Sequence, residues 1–353
     1  MKNTIIVIIS FLSIAGNIIA QTPVKKDTVK TITISPEQNA KLNYNNGLAD
    51  FSKGSYSTAL LKFNQAIADN PKFEPAYLGS ANTRFKQKDY KNAIYDYQKA
   101  TGLDTADDKA WYGLGRSEAM LGNKEEAINT FMHVVKKHSG NADAWYCLGE
   151  EQALNNNYKD AAIDFTNALT ANANLTDAYN DRGTCNYQLG DYKAAIDDYR
   201  QTILFTKTPE SYNNLGNAEL KDKDDDAAIG AFKQAIALNP TLPGSYDNLG
   251  AVYLDKQNFR EAITNFNKAL QLDSNYFYAY CNRGLAEYKL NNLDSAIADC
   301  DKAIKINPEY GNAYLNRGIV EELMRKSEDA CSDWQKASTY GVAVADNYTK
   351  NCK

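Results

Sequence analysis

An alanine recurs at Ala59, Ala93, Ala127, Ala161, Ala195, Ala228, Ala262, Ala296 and Ala330, and every step is 34 residues except one of 33. A second series of small residues lies twelve positions upstream: Gly47, Ala81, Gly115, Gly149, Gly183, Gly216, Gly250, Gly284 and Gly318. A third, mostly alanine, lies seven positions downstream, from Ala66 to Ala337. Small residues at fixed phase mark where helices approach most closely, because interaxial distances of about 8–10 Å leave no room for long side chains. A chain with this rhythm stacks helical hairpins and enlarges its core with each one, so its length counts repeats and not domains.

Each repeat places large residues beside the small ones. In the first helix of the hairpin, helix A, an aromatic stands four residues before the small residue: Tyr77, Trp111, Trp145, Tyr179, Tyr212, Tyr246, Tyr280 and Tyr314. In the second, helix B, a bulky residue stands four after the alanine: Phe63, Tyr97, Phe131, Phe165, Tyr199, Phe232, Phe266 and Trp334, with Cys300 the exception. This spacing puts knob and gap on one helical face. Asn70-Pro71, Asn239-Pro240 and Asn307-Pro308 stop helix B, since proline has no amide hydrogen to donate. The single 33-residue step is assigned to the loop through Thr206 and Thr208, with Pro209 opening the next helix.

The segments AWYGLGRSEAMLG, AYNDRGTCNYQLGDYKAAIDDY and SYDNLGAVYLDKQNFREAITNFNKALQLD resemble the tetratricopeptide repeat family over residues 40–344. The resemblance implies an all-α, right-handed superhelical solenoid of about nine helix-turn-helix repeats, closed by a capping helix at 345–353. Repeats start near Ala40, Glu74, Asp108, Ala142, Thr176, Pro209, Pro243, Phe277 and Gly311, counted here as position one. The closing segment, CSDWQKA followed by Gly341 and a late cysteine, is similar to the last repeats of exported Bacteroidetes proteins.

Lys2 and the apolar run from Ile5 to Ala20 read as a signal peptide at 1–20, cut after Ala20 or, as runner-up, after Ala15. Residues 21–39 read as a flexible linker. Export to the periplasm or cell envelope, with no membrane span after signal removal, follows as the expectation. Of six cysteines, Cys331 on the last helix B and Cys352 on the cap are joined by a short chain able to fold back to disulfide distance. The alternative is that all six are small buried apolar residues, the reading taken for Cys147, Cys185 and Cys300.

A net charge of -5 and a pI near 5.3 give no broad basic field, which argues against nucleic acid as a partner. His133 and His138 are the only histidines, and their spacing puts them on different helix faces. No nucleophile, base and oxyanion donor come together, so the chain is read as non-catalytic, with no cofactor and no metal. KDKDDD at 221–226 lacks a calcium-loop pattern and reads as a solvated turn.

Function is then expected on the inner wall, which the resemblance implies is formed by helix A positions two, five, six, nine, twelve and thirteen. There, Tyr44, Phe51, Leu78, Phe85, Tyr112, Met120, Tyr146 and Leu154 suggest an apolar anchor in the first half. In the second half, Asp177, Asp181, Glu210, Asp247 and Asp255 suggest preference for a polar or basic chain. Asn45, Asn214, Asn248, Asn282 and Asn316 at position six resemble the asparagine ladder of O-GlcNAc transferase repeats, since an amide both donates to and accepts from peptide backbone. A protein- or peptide-binding scaffold is the expectation. The alternatives are a self-associating structural module and, behind it, an accessory part of a glycan- or peptide-processing system.

Overall fold

The protein is seen in a computed structural model that describes residues 34–350 and Cys352. The expected signal peptide, both cleavage positions and residues 21–33 of the expected linker lie outside the described residues. The described residues form two compact units, one ending at Glu151 and the other starting at Gln152. All their elements are helices.

The first unit holds α1 (Pro36–Ser52), α2 (Tyr56–Asp69), α3 (Glu74–Lys86), α4 (Tyr90–Leu103), α5 (Asp108–Leu121) and α6 (Lys124–Lys137). Helix α7 (Ala142–Leu154) runs through the boundary. The second unit holds α8 (Tyr158–Ala171), α9 (Thr176–Gln188), α10 (Tyr192–Phe205), α11 (Pro209–Lys221), α12 (Asp225–Leu238) and α13 (Pro243–Asp255). It continues through α14 (Phe259–Leu272), α15 (Phe277–Lys289), α16 (Leu293–Ile306), α17 (Gly311–Leu323), α18 (Ser327–Thr339), a 3-10 turn at Ala343–Ala345 and α19 (Asp346–Thr349). Odd-numbered helices to α17 are the A helices. Within each unit, A helices pack on their own B helices and B helices on the next A helix, as α1 on α2 and α2 on α3, with Ala144 and Leu148 of α7 packed against α6.

The first helix starts at Pro36, inside the segment read as linker to residue 39, which corrects that boundary. Ser35 accepts from the Gln38 amide at 3.2 Å while Gln38 Oε1 accepts from the Ser35 amide at 3.0 Å. Proline at the first helical position needs no hydrogen bond there, so Ser-Pro-Glu-Gln is a complete capping box.

The glycine series has a steric cause. A Cβ built on Gly47, Gly115, Gly216 or Gly250 would stand 2.6–2.8 Å from the ring of Phe63, Phe131, Phe232 or Phe266, the bulky residue of the same repeat's B helix. Those four rings are fully buried. The turn between A and B helices is equally regular, with a left-handed residue in every repeat: Gly54, Lys88, Gly122, Asn156, Gly190, Lys223, Gln257, Asn291 and Arg325. Glycine occupies only three of these positions, although it adopts that conformation without a Cβ clash. At the other end of helix B, the Oδ1 atoms of Asn70, Asp104, Asn172, Asn239, Asp273 and Asn307 accept the amide two residues on at 2.8–3.1 Å. This turn forms with or without the proline, which explains why Thr105, Ala173 and Ser274 replace it without loss of the fold. Between α10 and α11 the loop has three residues, Thr206–Thr208, where the others have four.

An arginine at position seven ties successive B helices together in the second unit. Arg182 donates to Asp198 at 3.0 and 2.6 Å and to Thr166 Oγ1 at 3.0 Å, sixteen residues away on either side. Arg283 does the same with Asp299 (2.8 and 2.5 Å) and Asn267 (2.6 Å), and Arg317 with Asp333 (2.6 and 2.8 Å) and Asp301. Asp164 stands at the corresponding position of repeat four, where the residue sixteen before it is Leu148, and it is 8% exposed.

Burial, with Asp160 adding repulsion, pushes the Asp164 carboxyl up to about 7. A carboxyl raised in the folded state costs stability as pH climbs from the unfolded value of about 4, and the full cost is present above about 7. Asp164→Asn is therefore expected to leave stability at about pH 3.5 nearly unchanged and to add about 1–2 kcal/mol at about pH 8, after discounting for partial solvent access. Urea titrations at the two pH values test this, and equal gains at both would show that ionisation is not the cause.

The C-terminal segment folds back on α18. Gly341, at φ +83°, closes the helix, with the Val342 amide donating to Ala337 O at 3.0 Å. Ala345 is buried, the Tyr348 ring lies 5.0 Å from that of Trp334, and a disulfide joins Cys331 to Cys352.

Candidate peptide-binding faces

In the first unit, Tyr44, Phe51, Leu78, Phe85, Tyr112 and Tyr146 are half-buried, not open. Tyr44 packs its ring against Phe63 and Phe73 at 5.8 and 5.4 Å. Phe51 lies 5.5 Å from Tyr56, and Phe85 lies 5.4 Å from Tyr90, each closing the turn of its own hairpin. Leu78 packs on the Ala93, Tyr97 and Leu114 cluster. Tyr112 contacts the Phe131 ring at 6.1 Å, and its hydroxyl meets Cys147 Sγ at 3.7 Å. Positions five and twelve border the seams between helices, so these rings form a floor committed to packing. For these six, that corrects the open apolar anchor expected from the sequence. Met120 (57% exposed) and Leu154 (62%) of the same expected set do stand out, as does Leu48 (42%).

Arg116, at position nine of repeat three, was not among the expected site residues. Its guanidinium carbon sits 4.9 Å from the Phe85 ring centroid and 5.7 Å from that of Tyr112. Stacking on two rings orients a guanidinium while leaving its edge donors free to point outward.

In the second unit the asparagine series turns partly inward. Asn214 Nδ2 donates to Asn180 Oδ1 at 3.2 Å, Asn282 to Asp247 Oδ1 at 3.1 Å, and Asn316 to Cys281 Sγ at 3.2 Å. Each reaches position five of the preceding repeat. Half of the donor capacity of Asn214 and Asn282 thus clasps neighbouring A helices, while Asn316 Nδ2 also donates to Cys281 O at 3.5 Å. Asn248 is half-buried and Asn45, in the first unit, is exposed. Asp181 is half-buried and accepts from Asn180 at 3.0 Å. Asp247 is 6% exposed; burial pushes its carboxyl up to about 6 against the pull of the Asn282 bond. It belongs to the clasp more than to an open face, whereas Asp177, Glu210 and Asp255 are exposed.

Composition also missed an aromatic cluster on this unit. The Phe277 and Tyr278 rings lie 4.1 Å apart, and the Tyr310 ring is 5.0 and 5.3 Å from them. Tyr278, at position two of repeat eight, is 43% exposed. The KDKDDD turn is accounted for locally: Asp224 caps α12 by accepting from the Ala227 amide at 3.1 Å, and Lys256 pairs with Asp226 at 3.1 Å. Among the described residues no helix is long and apolar enough to cross a membrane.

Family profiles described as tetratricopeptide repeat match residues 44–109 and 155–211, 84–149, 209–242 and 277–310, and one described as TPR repeat matches 250–291. Among solved structures, the Cut9–Hcn1 hetero-tetramer of the APC/C is 18% identical with a TM-score of 0.52, over 90% of this chain and 67% of that one. A tetratricopeptide repeat protein of Parabacteroides merdae is 17% identical with a TM-score of 0.49, over 70% and 99% of the two chains. YrrB, titled a TPR protein with an unusual peptide-binding site, is 20% identical with a TM-score of 0.43, over 52% and 95%. No curated protein matches the chain.

Proposed function

Because the chain belongs to the tetratricopeptide repeat family, we propose that it is a non-catalytic scaffold of the periplasm or cell envelope that holds a protein or peptide along the inner faces of its A helices. One contrast carries this reading. The exposed surfaces of the B helices in the second unit mix both signs, as with Lys193 and Asp197 on α10 or Asp294, Lys302 and Lys305 on α16. On the inner faces, Lys41, Lys86, Lys109 and Arg116 of the first unit and Asp177, Glu210 and Asp255 of the second are exposed and take part in no ion pair among the described residues. Unspent like charges beside half-used amides give a partner something to bind. The signal-like segment ending at Ala20 and the Cys331–Cys352 bridge support export to an oxidising compartment.

Site-resolved crosslinking tests the reading. A photoreactive phenylalanine analogue at Lys109 or Tyr278, on inner faces, is expected to capture a distinct protein in intact cells. The same group at Gln65 or Lys233, on B helices, is expected not to. Adducts made only with a second copy of the chain would instead favour the self-associating module.

A further inference from the structure

The inner wall of the first unit differs from the rest of an acidic protein. Over repeats one to three, positions two, five, six, nine, twelve and thirteen hold Lys41, Lys86, Lys109 and Arg116 and not one aspartate or glutamate, and the unit's share of repeat four adds Asp143 and Glu150, so cations still outnumber carboxylates on this wall. All four cations are exposed, and none is in an ion pair among the described residues. The chain as a whole carries a net charge of -5, so this wall runs against the trend of its own surface. The same six positions in repeats five to seven hold Asp177, Asp181, Glu210, Asp247 and Asp255 with Lys221 as the single cation.

We propose that the first unit binds an acidic, extended peptide segment, its carboxylates met by Lys86, Lys109 and Arg116 and its apolar side chains by Leu48 and Met120. This rests on the scaffold reading and names the partner's chemistry. Arg116 is the central contact. Held over the Phe85 and Tyr112 rings, it loses less freedom on pairing than a loose lysine, and its planar fork matches a carboxylate. The exposed Asn45 amide and the two apolar side chains favour a peptide over a bare polyanion, because they can satisfy backbone groups and cover methylenes where a phosphate chain would offer neither.

The test uses the full chain and three synthetic peptide pools of equal length and equal leucine and phenylalanine content, rich in Asp/Glu, Asn/Gln or Lys/Arg. Single-stranded oligodeoxythymidylate of matching charge serves as the polyanion control. The acidic pool is expected to bind at least about tenfold more tightly than the other two, and to weaken about tenfold between roughly 0.05 and 0.3 M salt. Arg116→Gln with Lys86→Gln, both at exposed positions, is expected to abolish that preference. Arg116→Lys should keep most of it, and Glu125→Gln on α6 all of it. Tighter binding of the neutral or basic pool would overturn the acidic preference while leaving the scaffold standing. Binding of the oligonucleotide as tightly as the acidic pool would overturn it in favour of charge alone. Retention of none of the pools would remove both readings.

Discussion

Replacing Arg283 by methionine is expected to destabilise the second unit by about 3–5 kcal/mol, the cost typical of removing one partner from a buried ion pair. Methionine keeps the length of the stem and much of its packing, so the loss isolates the guanidinium. Asp299, 7% exposed, would keep its charge with neither of its two arginine hydrogen bonds, and Asn267 on the preceding B helix would lose its partner as well. Asp164 illustrates the consequence, since without such a partner burial pushes its carboxyl up to about 7. The variant's deficit should accordingly shrink as pH falls toward the unfolded carboxylate value of about 4, where the orphaned group can be neutral. Adding Asp299→Leu should restore most of the loss, because exchanging a whole buried pair for apolar side chains is close to neutral. Urea midpoints give the totals, and hydrogen exchange should show protection falling first in α15 and α16. A single variant within about 1 kcal/mol of the parent would mean that water replaces the arginine and that packing alone joins these helices.

Most of the architecture was legible because it is written many times. The alanine, glycine and aromatic series each repeat at one phase, and errors at single positions are outvoted by the other repeats. What stayed hidden had a weaker period or a longer reach. The arginine clasp spans sixteen residues in both directions and occurs in three repeats, so it was visible only to a search for that spacing. The linker boundary failed because Ser35, Pro36 and Gln38 form one cap whose parts look like linker composition when read separately. Among the candidate wall residues, position in the repeat was read well enough, but openness was not. A tyrosine at position five can face a ligand or fill a seam, and only the neighbouring Phe73 or Phe131 decides which. The cations on the same wall were present in the sequence all along and became informative once Arg116 was seen resting on Phe85 and Tyr112.

The second large effect is expected at Phe266, whose replacement by alanine should cost about 3–5 kcal/mol, as for other buried aromatic rings emptied to a methyl group. The ring is 0% exposed and occupies the space a side chain on Gly250 would need, since a Cβ there would stand 2.6 Å from Cε1. In a stacked array such a loss is felt mainly by the repeat and its nearest neighbours, so α13, α14 and α15 should lose amide protection ahead of the rest of the unit. The partner substitution separates a specific fit from a general need for bulk. Gly250→Ala alone should destabilise by about 1–3 kcal/mol, because the ring must move out of its rotamer or the helices must part. In the Phe266→Ala background the same change should be neutral or stabilising, since the clash is gone and alanine is favoured over glycine in a helix by about 1 kcal/mol. A reversal of sign across the cycle would establish that the glycine series exists to admit the ring of its own repeat. Additive costs would sever that link and trace the glycines to approach between helix backbones instead. Repeat eight offers a natural comparison: it keeps Gly284 although Cys300 replaces the ring, and there a Cβ would meet Ala296 O at 3.1 Å and Cys300 Sγ at 3.3 Å. Gly284→Ala is therefore expected to cost less than Gly250→Ala, which ranks the two glycines by what faces them and not by their shared place in the period.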